Sequence, residues 1–180
     1  MRRTRAQVTL VILLAAIQWA GCGGMEETHS YSWWKIAFDL PLQCRGPIEL
    51  GIGAVAFVYP ADSEPGQAKV EITLIAVPAD LQNSLDNDQD AILDFVKGTF
   101  LGTTSRADEN IERTFLGNNI VGDVQNITIP RRGQMETYLI PLSDGDMVAV
   151  SVMHAAETAA DHSTRVVEAL AATLKEVPLK

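Results

Sequence analysis

One stretch near the end of the chain constrains the fold more than any other, because it reads as strand, tight turn, strand and helix in succession. The turn is Ser143-Asp144-Gly145-Asp146, and it lies between apolar runs at 135–142 and 147–153. Asp-Gly between two such runs is among the strongest signals for a β-hairpin, since glycine adopts positive φ without strain. We therefore predict a hairpin here, with its second strand at the centre of a sheet.

The helix after this hairpin is predicted from an apolar stripe at helical spacing. Its members are Val166, Val167, Leu170, Leu174 and Val177. The strand at 147–153 is apolar in both of its alternating sets of residues, which is typical of a strand covered on both faces. We expect the last helix to cover one face, and an earlier helix to share it or to cover the other.

The rest of the chain predicts further strands and that earlier helix. Strands are expected at 35–40, 54–59, 69–74, 111–115, 118–129 and 135–142, and the helix carries Ile92, Phe95, Val96 and Phe100 on one face. The segment 42–53 is predicted to be irregular, and Gly122 inside a strand pattern indicates a bulge or a close backbone approach. This order predicts an α+β fold, a largely antiparallel β-sheet with packed helices in an α-β-α sandwich.

The first 21 residues are predicted to be a lipoprotein signal peptide. Three arginines precede an apolar run at 8–17, which is too short to span a bilayer comfortably, since spanning takes about 20 residues. Ala20-Gly21-Cys22 then resembles a lipobox, although Trp19 stands where leucine is usual. We expect lipidation at Cys22, a flexible tether over 22–30 and a single domain over 31–180. The alternatives are an ordinary secretory signal cut nearby or an uncleaved anchor.

The charge of the chain excludes some partners. The whole sequence has 14 basic and 23 acidic residues. Because three arginines are the only charged residues of the signal segment, the part from Cys22 onward has 11 basic and 23 acidic residues, a net charge of −12. Nucleic acid is therefore not expected as a partner. The same charge argues against electrostatic docking on anionic lipid heads, so we expect attachment to the membrane through the N-terminal lipid.

Two further features of the N-terminal half bear on function. If Cys22 carries lipid, Cys44 has no disulfide partner, and we expect it to be a small buried apolar residue rather than a nucleophile. Trp33 and Trp34 are adjacent and form a candidate partner-binding platform. The alternative, which we favour, places one ring in the core and the other over a sheet edge.

The sequence offers one candidate metal site and no catalytic constellation. His154, Glu157, Asp161 and His162 form the densest cluster of potential ligands. Capping of the last helix by Thr158 and Asp161 is the alternative explanation, and the one we favour. No cofactor is predicted, because the glycine pattern at 51–56 runs into a strand rather than the helix that a dinucleotide needs. We do not expect an enzyme.

Several of these features together resemble a known family. They are the Phe38-Asp39-Leu40-Pro41 start, the mid-chain helix, the paired strands, the Ser-Asp-Gly-Asp hairpin and the C-terminal helix. From about Tyr31 to Val177 the chain is similar to the PsbP-like proteins, including bacterial lipoproteins of the DcrB type. That resemblance implies an α-β-α sandwich and a family of accessory subunits and small adaptors, with no catalytic residues to carry over.

Two functions follow as hypotheses. The first is a non-enzymatic, lipid-anchored protein of the cell envelope that binds or helps to assemble another envelope protein, on the periplasmic face or the outer membrane of a Gram-negative cell. The alternative is a small-molecule or metal-binding lipoprotein that uses a cleft between sheet and helix. A polar pocket of convergent side chains favours the alternative, whereas an exposed apolar patch of several hundred Å² favours a partner.

Overall fold

The computed structural model describes residues 27–51, 53–101, 108–128, 132–156 and 160–178, and the side chains of all of these except 100–101 and 160–163. The predicted signal peptide, Cys22 and the predicted tether as far as residue 26 lie outside the described residues. Within the described ranges, no helix has the length and apolar character needed to cross a bilayer.

The described elements alternate between strands and helices in the predicted order. They are β1 (Thr28–Trp33), β2 (Ile36–Pro41), β3 (Arg45–Gly51), β4 (Ala54–Tyr59), β5 (Val70–Val77), α1 (Ala79–Ser84), α2 (Gln89–Val96), a π-helical turn (Lys97–Leu101), β6 (Glu109–Phe115), β7 (Asn118–Ile127), β8 (Gly133–Pro141), β9 (Met147–Ala155), α3 (Ala160–Thr173) and β10 (Lys175–Glu176).

Seven strands form one antiparallel sheet, in the order β3-β4-β5-β9-β8-β7-β6. A second, small sheet has the order β1-β2-β10. The predicted hairpin connects β8 to β9, with Gly145 at φ 91° in its turn, and β4 pairs with β5. The fold is α+β with a mostly antiparallel sheet and few helices, as predicted.

Strand β9 is the middle strand, and its two faces belong to two different cores. Val148, Val150 and Val152 pack in the core beneath α3 and the small sheet. Ala149 lies on the other face, in a smaller core with Ile92 of α2. The prediction of a central strand covered on both sides is therefore confirmed, and the earlier helix covers the face opposite α3. Each fully buried valine or leucine in these cores contributes about 1.5–3 kcal/mol.

Helix α2 begins at the acidic segment for a local reason. The Asp88 side chain accepts hydrogen bonds from the backbone N–H groups of Asp90 and Ala91, at 2.9 and 3.2 Å. This N-cap satisfies two donors that have no partner inside the helix, which is typically worth about 1 kcal/mol.

Three sequence predictions about element bounds are wrong. The segment 42–53 contains β3, which pairs with β4 and forms an edge of the large sheet. The folded part begins at Thr28 rather than residue 31, because 28–30 pair with β2 and so belong to β1 and not to the tether. Helix α3 ends at Thr173, and Val177 follows β10, whose residues pair with β2.

The two ends of the sheets differ in what they carry. At the hairpin end lie the β8–β9 turn and the β1–β2 turn, joined because Lys35 Nζ donates to the carboxylates of both Asp144 and Asp146. At the N-terminal end, β1 begins, β2 ends and β3 begins, and the backbone N–H of Cys44 donates to the carbonyl of Pro41 at 2.8 Å. The register puts residues 126, 133–134 and 154–155 at this same N-terminal end.

Candidate functional site

A cleft of about 640 Å³ opens at the N-terminal end, between the large sheet and α3. Its floor comes from β6, β7, β8 and β9, and Thr164 of α3 lines its side. The charged and titratable residues of its lining are Arg113, Arg132, Glu136 and His154. The cleft therefore combines a cavity large enough for a small molecule with convergent polar groups, the usual form of a ligand site.

Glu136 is the centre of a hydrogen-bond network in this cleft. It accepts from Arg113 twice, from Nε at 3.0 Å and from Nη2 at 3.2 Å. It also accepts from the Tyr138 hydroxyl at 2.6 Å and lies 3.3 Å from Nε2 of His154. Arg113 Nε in addition donates to the Tyr138 hydroxyl at 2.8 Å. Such charge-assisted bonds are roughly twice as strong as neutral ones, so the four side chains hold one another in place.

The network displaces the pKa values of its members away from neutrality. Burial raises the pKa of Glu136, but hydrogen bonds from His154, Arg113 and Tyr138 outweigh burial and bring it down to about 2. Burial and the hydrogen bond to Glu136 raise the pKa of the Tyr138 hydroxyl. Burial alone would lower the pKa of Arg113. Its hydrogen bonds and charge interaction with Glu136 outweigh burial, so the net effect is a raised pKa. At neutral pH the site thus holds an ionised carboxylate, a neutral phenol and a guanidinium.

The network depends on a glycine in the neighbouring strand. A Cβ on Gly122 would stand 2.4 Å from Cδ1 and Cε1 of Tyr138, so the ring lies directly against β7. The register of β7 with β6 is continuous through Gly122, whereas the pairing of β7 with β8 begins one residue later, at Asp123 and Thr137. The predicted close approach is therefore confirmed, and there is no bulge in the pairing with β6. The absent side chain lets the Tyr138 hydroxyl reach Arg113, which lies two strands away on β6.

We expect Gly122→Ala to lower the free energy of unfolding by about 2 kcal/mol, within the usual cost of overpacking a core. Tyr138 cannot yield easily, because its ring is fully buried against Phe115 at 5.0 Å between centroids and its hydroxyl is bonded twice. Urea denaturation of the full-length protein measures the effect. Val121→Ala, at an exposed neighbour in the same strand, is the control and should change stability by less than about 0.5 kcal/mol.

His154 is the one member of the predicted metal cluster that the described residues place in this cleft. Its Nε2 faces Glu136, and its Nδ1 is buried without a hydrogen-bond partner among the described groups. Glu157 and the side chains of Asp161 and His162 lie outside the description, as does Thr158, their alternative partner in capping. No group of three potential ligands occurs among the described residues, so the metal site stays a prediction.

The two tryptophans lie at the hairpin end, away from the cleft. Trp33 and Trp34 are half-buried, pack against the larger core and have ring centroids 6.2 Å apart. Lys35 Nζ stands 5.1 Å from the centroid of Trp34, a cation–π distance. Both rings thus have partners within the protein. The favoured alternative placed one ring in the core, but both rings are only partly buried. Cys44 is buried, as predicted, and forms no disulfide with a described residue.

A second buried ion pair lies on the opposite face of the sheet. Lys97, at the start of the π-helical turn, donates through Nζ to Asp123 Oδ2 of β7 at 2.5 Å. The neighbouring hydroxyl of Thr137 is buried and has no hydrogen-bond partner in the described part of the chain. This pair connects the end of α2 to the sheet.

Sequence reasoning did not find Arg113, Glu136 or Tyr138. The available signal was the alternation in β8, which places Glu136 on the same face as the apolar residues Tyr138 and Ile140. A carboxylate on a buried face needs a partner, since unpaired burial of a charge is costly. The structure supplies this partner from Arg113, which lies two strands away and is not the arginine nearest to Glu136 in the sequence.

Comparison with known proteins supports the fold and goes no further. No protein-family model matches the sequence, and no curated protein matches it. Solved structures of similar fold exist at low identity, among them the three described next, and at that identity they carry no functional conclusion for this chain.

A crystal structure from Bacteroides thetaiotaomicron gives a TM-score of 0.54 at 11% identity, over 86% of this chain and 50% of that one, so this chain spans half its length. The Ran-binding protein Mog1p of Saccharomyces cerevisiae gives 0.50 at 12% identity, over 83% of this chain and 95% of that one. Cyanobacterial PsbP (CyanoP) from Synechocystis sp. PCC 6803 gives 0.52 at 13%, over 87% and 96%. The chain has the Mog1p/PsbP-like fold, so the resemblance to PsbP-like proteins is confirmed at the level of the fold.

Proposed function

We propose that this chain is a non-enzymatic binding protein of the bacterial cell envelope that takes a small polar ligand in the cleft between the sheet and α3. The observation that carries the proposal is the convergence of Arg113, Glu136 and His154 in a cleft of about 640 Å³. The lipobox-like residues 20–22 support anchoring through lipid on Cys22. The same residues, with the fold, support a place among PsbP-like lipoproteins of the DcrB type.

The protonation states in the cleft favour binding over acid–base chemistry. A general acid or base works best when its pKa lies near the operating pH. Glu136 has a pKa of about 2, and the pKa of Tyr138 is raised above its usual value, so neither group exchanges a proton readily at neutral pH. Groups held in one charge state and bonded to one another are suited to fixing the geometry of a binding site.

The distribution of exposed apolar side chains also favours the cleft over a protein-docking face. Among the described residues, the large apolar side chains that are well exposed are Leu42 in the β2–β3 turn, Leu50 on β3 and Val121 on β7. A protein interface usually presents a contiguous apolar patch instead.

The ligand experiment compares an open cleft with a filled one. Full-length protein is incubated with the low-molecular-weight fraction of its own envelope, washed and denatured, and the released compounds are identified by mass spectrometry. Gln134→Trp fills the cleft mouth, and Asn110→Trp adds the same bulk at an exposed site outside the lining. We expect a compound released by the wild type and by Asn110→Trp but not by Gln134→Trp. Equal release from all three would exclude the cleft.

A second proposal is the accessory role, in which the chain binds another envelope protein through the Trp33–Trp34 turn. The supporting observation is that Trp34 has φ 49°, a conformation that is uncommon for a residue with a side chain and often occurs at functional turns. Crosslinked pull-down of the lipidated protein from its own membranes tests it, with Trp34→Ala and Cys22→Ser as comparisons. A partner retained by Trp34→Ala would exclude this turn as the contact.

A further inference from the structure

Building on the proposed cleft, we propose that its ligand is an anionic group, a phosphate or a carboxylate, and that the cleft receives this group on the membrane side of the protein. The two parts rest on different observations. The charge and donors of the lining identify the chemistry of the ligand. The position of the cleft relative to the first strand identifies the side from which the ligand comes.

The lining of the cleft is basic in a protein that is otherwise acidic. Its charged residues are Arg113, Arg132 and Glu136, which together leave one positive charge. From Cys22 onward the chain as a whole carries a net charge of −12. The negative charge of the whole protein therefore repels small anions, and only a locally basic surface attracts them. The lining of the cleft is such a surface.

Hydrogen-bond donors for an anion remain after the network is satisfied. Glu136 and Tyr138 engage Arg113 through Nε and one Nη2 proton, and a guanidinium has five N–H donors. The other three make no hydrogen bond to a described residue. Arg132 is exposed in the same lining, and no carboxylate in the described ranges pairs with it. Two guanidinium groups, one fixed by Glu136 and one with no carboxylate partner in the described ranges, suit the planar oxygens of carboxylate and phosphate.

The cleft and the start of the first strand lie at the same end of the molecule. Thr28 begins β1 opposite Pro41, and Arg45 begins β3 a few residues later. The cleft residues Gln134 and His154 are at this N-terminal end of the large sheet. Five residues separate Cys22 from Thr28, and a chain of that length spans at most about 20 Å. Lipid on Cys22 would therefore hold the cleft end close to the bilayer.

Carboxylates occur at both ends of the molecule. Asp144, Asp146 and Glu176 lie at the hairpin end, where Lys35 pairs with both aspartates and Glu176 accepts from the backbone N–H of Ser143 at 3.0 Å. At the cleft end, Asp108 accepts from the backbone and side-chain N–H groups of Asn126. The orientation therefore rests on the tether rather than on the distribution of charge. The overall acidic charge argues against general electrostatic docking on lipid heads. It is compatible with one local basic site, the cleft, that faces them.

The first arm of the test measures the chemistry. Inorganic phosphate and citrate are titrated by calorimetry into lipidated full-length protein in neutral detergent. We expect saturable binding that Arg132→Gln weakens about tenfold, as the loss of one charged hydrogen bond predicts. Arg45→Gln, at an exposed arginine outside the lining, should leave the affinity unchanged. Absent binding, or weak binding that Arg132→Gln leaves unaltered, shows an adventitious ion only and overturns the anion site.

The second arm identifies the source of the anion. A photo-crosslinking amino acid replaces Gln134 at the cleft mouth or, as the matched control, Ser143 at the hairpin end, in protein anchored in its own membranes. Lipid adducts at 134 but not at 143 support a headgroup, whereas phosphate binding without adducts at either position supports a soluble anion. Adducts at 143 alone overturn the orientation.

The outcomes separate this inference from the function on which it rests. If the envelope fraction yields a cleft-dependent compound while phosphate and citrate do not bind, the binding function stands and the anion chemistry is wrong. If neither experiment gives a cleft-dependent ligand, both proposals fail together.

Discussion

Replacing Glu136 with glutamine is expected to lower the free energy of unfolding at pH 7 by about 3 kcal/mol, the usual cost of removing one partner of a buried ion pair. The Arg113 side chain is 18% exposed and that of Glu136 12%, so neither charge is well hydrated. Without the carboxylate, Arg113 keeps its charge in a site with little water. Glutamine keeps only one acceptor oxygen, so either the Tyr138 hydroxyl, which donates to Oε2, or His154 Nε2, which faces Oε1, meets an NH2 group instead.

Urea denaturation of the full-length protein measures this change, and a matched variant controls for the loss of a negative charge. Glu112→Gln removes an exposed carboxylate next to Arg113 in the sequence, and should change stability by less than about 0.5 kcal/mol. A shift for Glu136→Gln no larger than that for Glu112→Gln would mean that the network contributes nothing to stability.

The pH dependence of stability gives an independent check on the same residue. The pKa of Glu136 falls from its ordinary value of 4.5 to about 2 in the folded protein. A carboxyl group with a lowered folded pKa stabilises the protein above its unfolded pKa, and this contribution is lost as pH falls through the folded value. Wild-type protein should therefore lose stability between about pH 5 and pH 2. The Glu136→Gln variant should lose less stability over this pH range. The difference in stability between the wild type and the variant should therefore decrease as the pH falls.

The sequence predicted the centre of the sheet better than its edges, for a physical reason. Strand β9 is covered on both faces, so its apolar composition follows directly from burial. Strand β3 is an edge strand with exposed residues along much of its length, and it contains Gly46 and Pro47. An edge strand needs partners on one side only and tolerates proline, so its composition resembles that of a loop.

The cleft could not be assembled from sequence spacing, because its members meet only through strand pairing. Arg113 is on β6, Glu136 and Tyr138 are on β8, and His154 is on β9. His154 was singled out as a metal ligand from its neighbours in sequence, whereas its contact across the sheet is Glu136. The register that brings them together follows from the hairpins. The local sequence signals of the site are Gly122 and the alternation of buried residues in β8.

The ion pair on the opposite face gives a prediction in which the two single substitutions are unequal. Lys97 is 2% exposed, whereas its partner Asp123 is 22% exposed. Asp123→Asn leaves a charged ammonium that cannot reach water, so we expect a loss of about 3 kcal/mol. Lys97→Met leaves a carboxylate at the solvent boundary and keeps most of the buried apolar stem, so we expect a loss of about 1 kcal/mol.

The double variant tests directly whether the unpaired charge causes the loss of stability, because it contains no uncompensated charge. Lys97→Met combined with Asp123→Asn should be more stable than Asp123→Asn alone, although it carries one more substitution. Urea midpoints at pH 7 for the two single variants and the double variant measure the coupling, and Asp94→Asn, at an exposed carboxylate on α2, is the control. If Lys97→Met cost more than Asp123→Asn, the lysine would act through the packing of its stem. The unequal order follows only if the buried charge, rather than the shape of either side chain, determines the cost of breaking the pair.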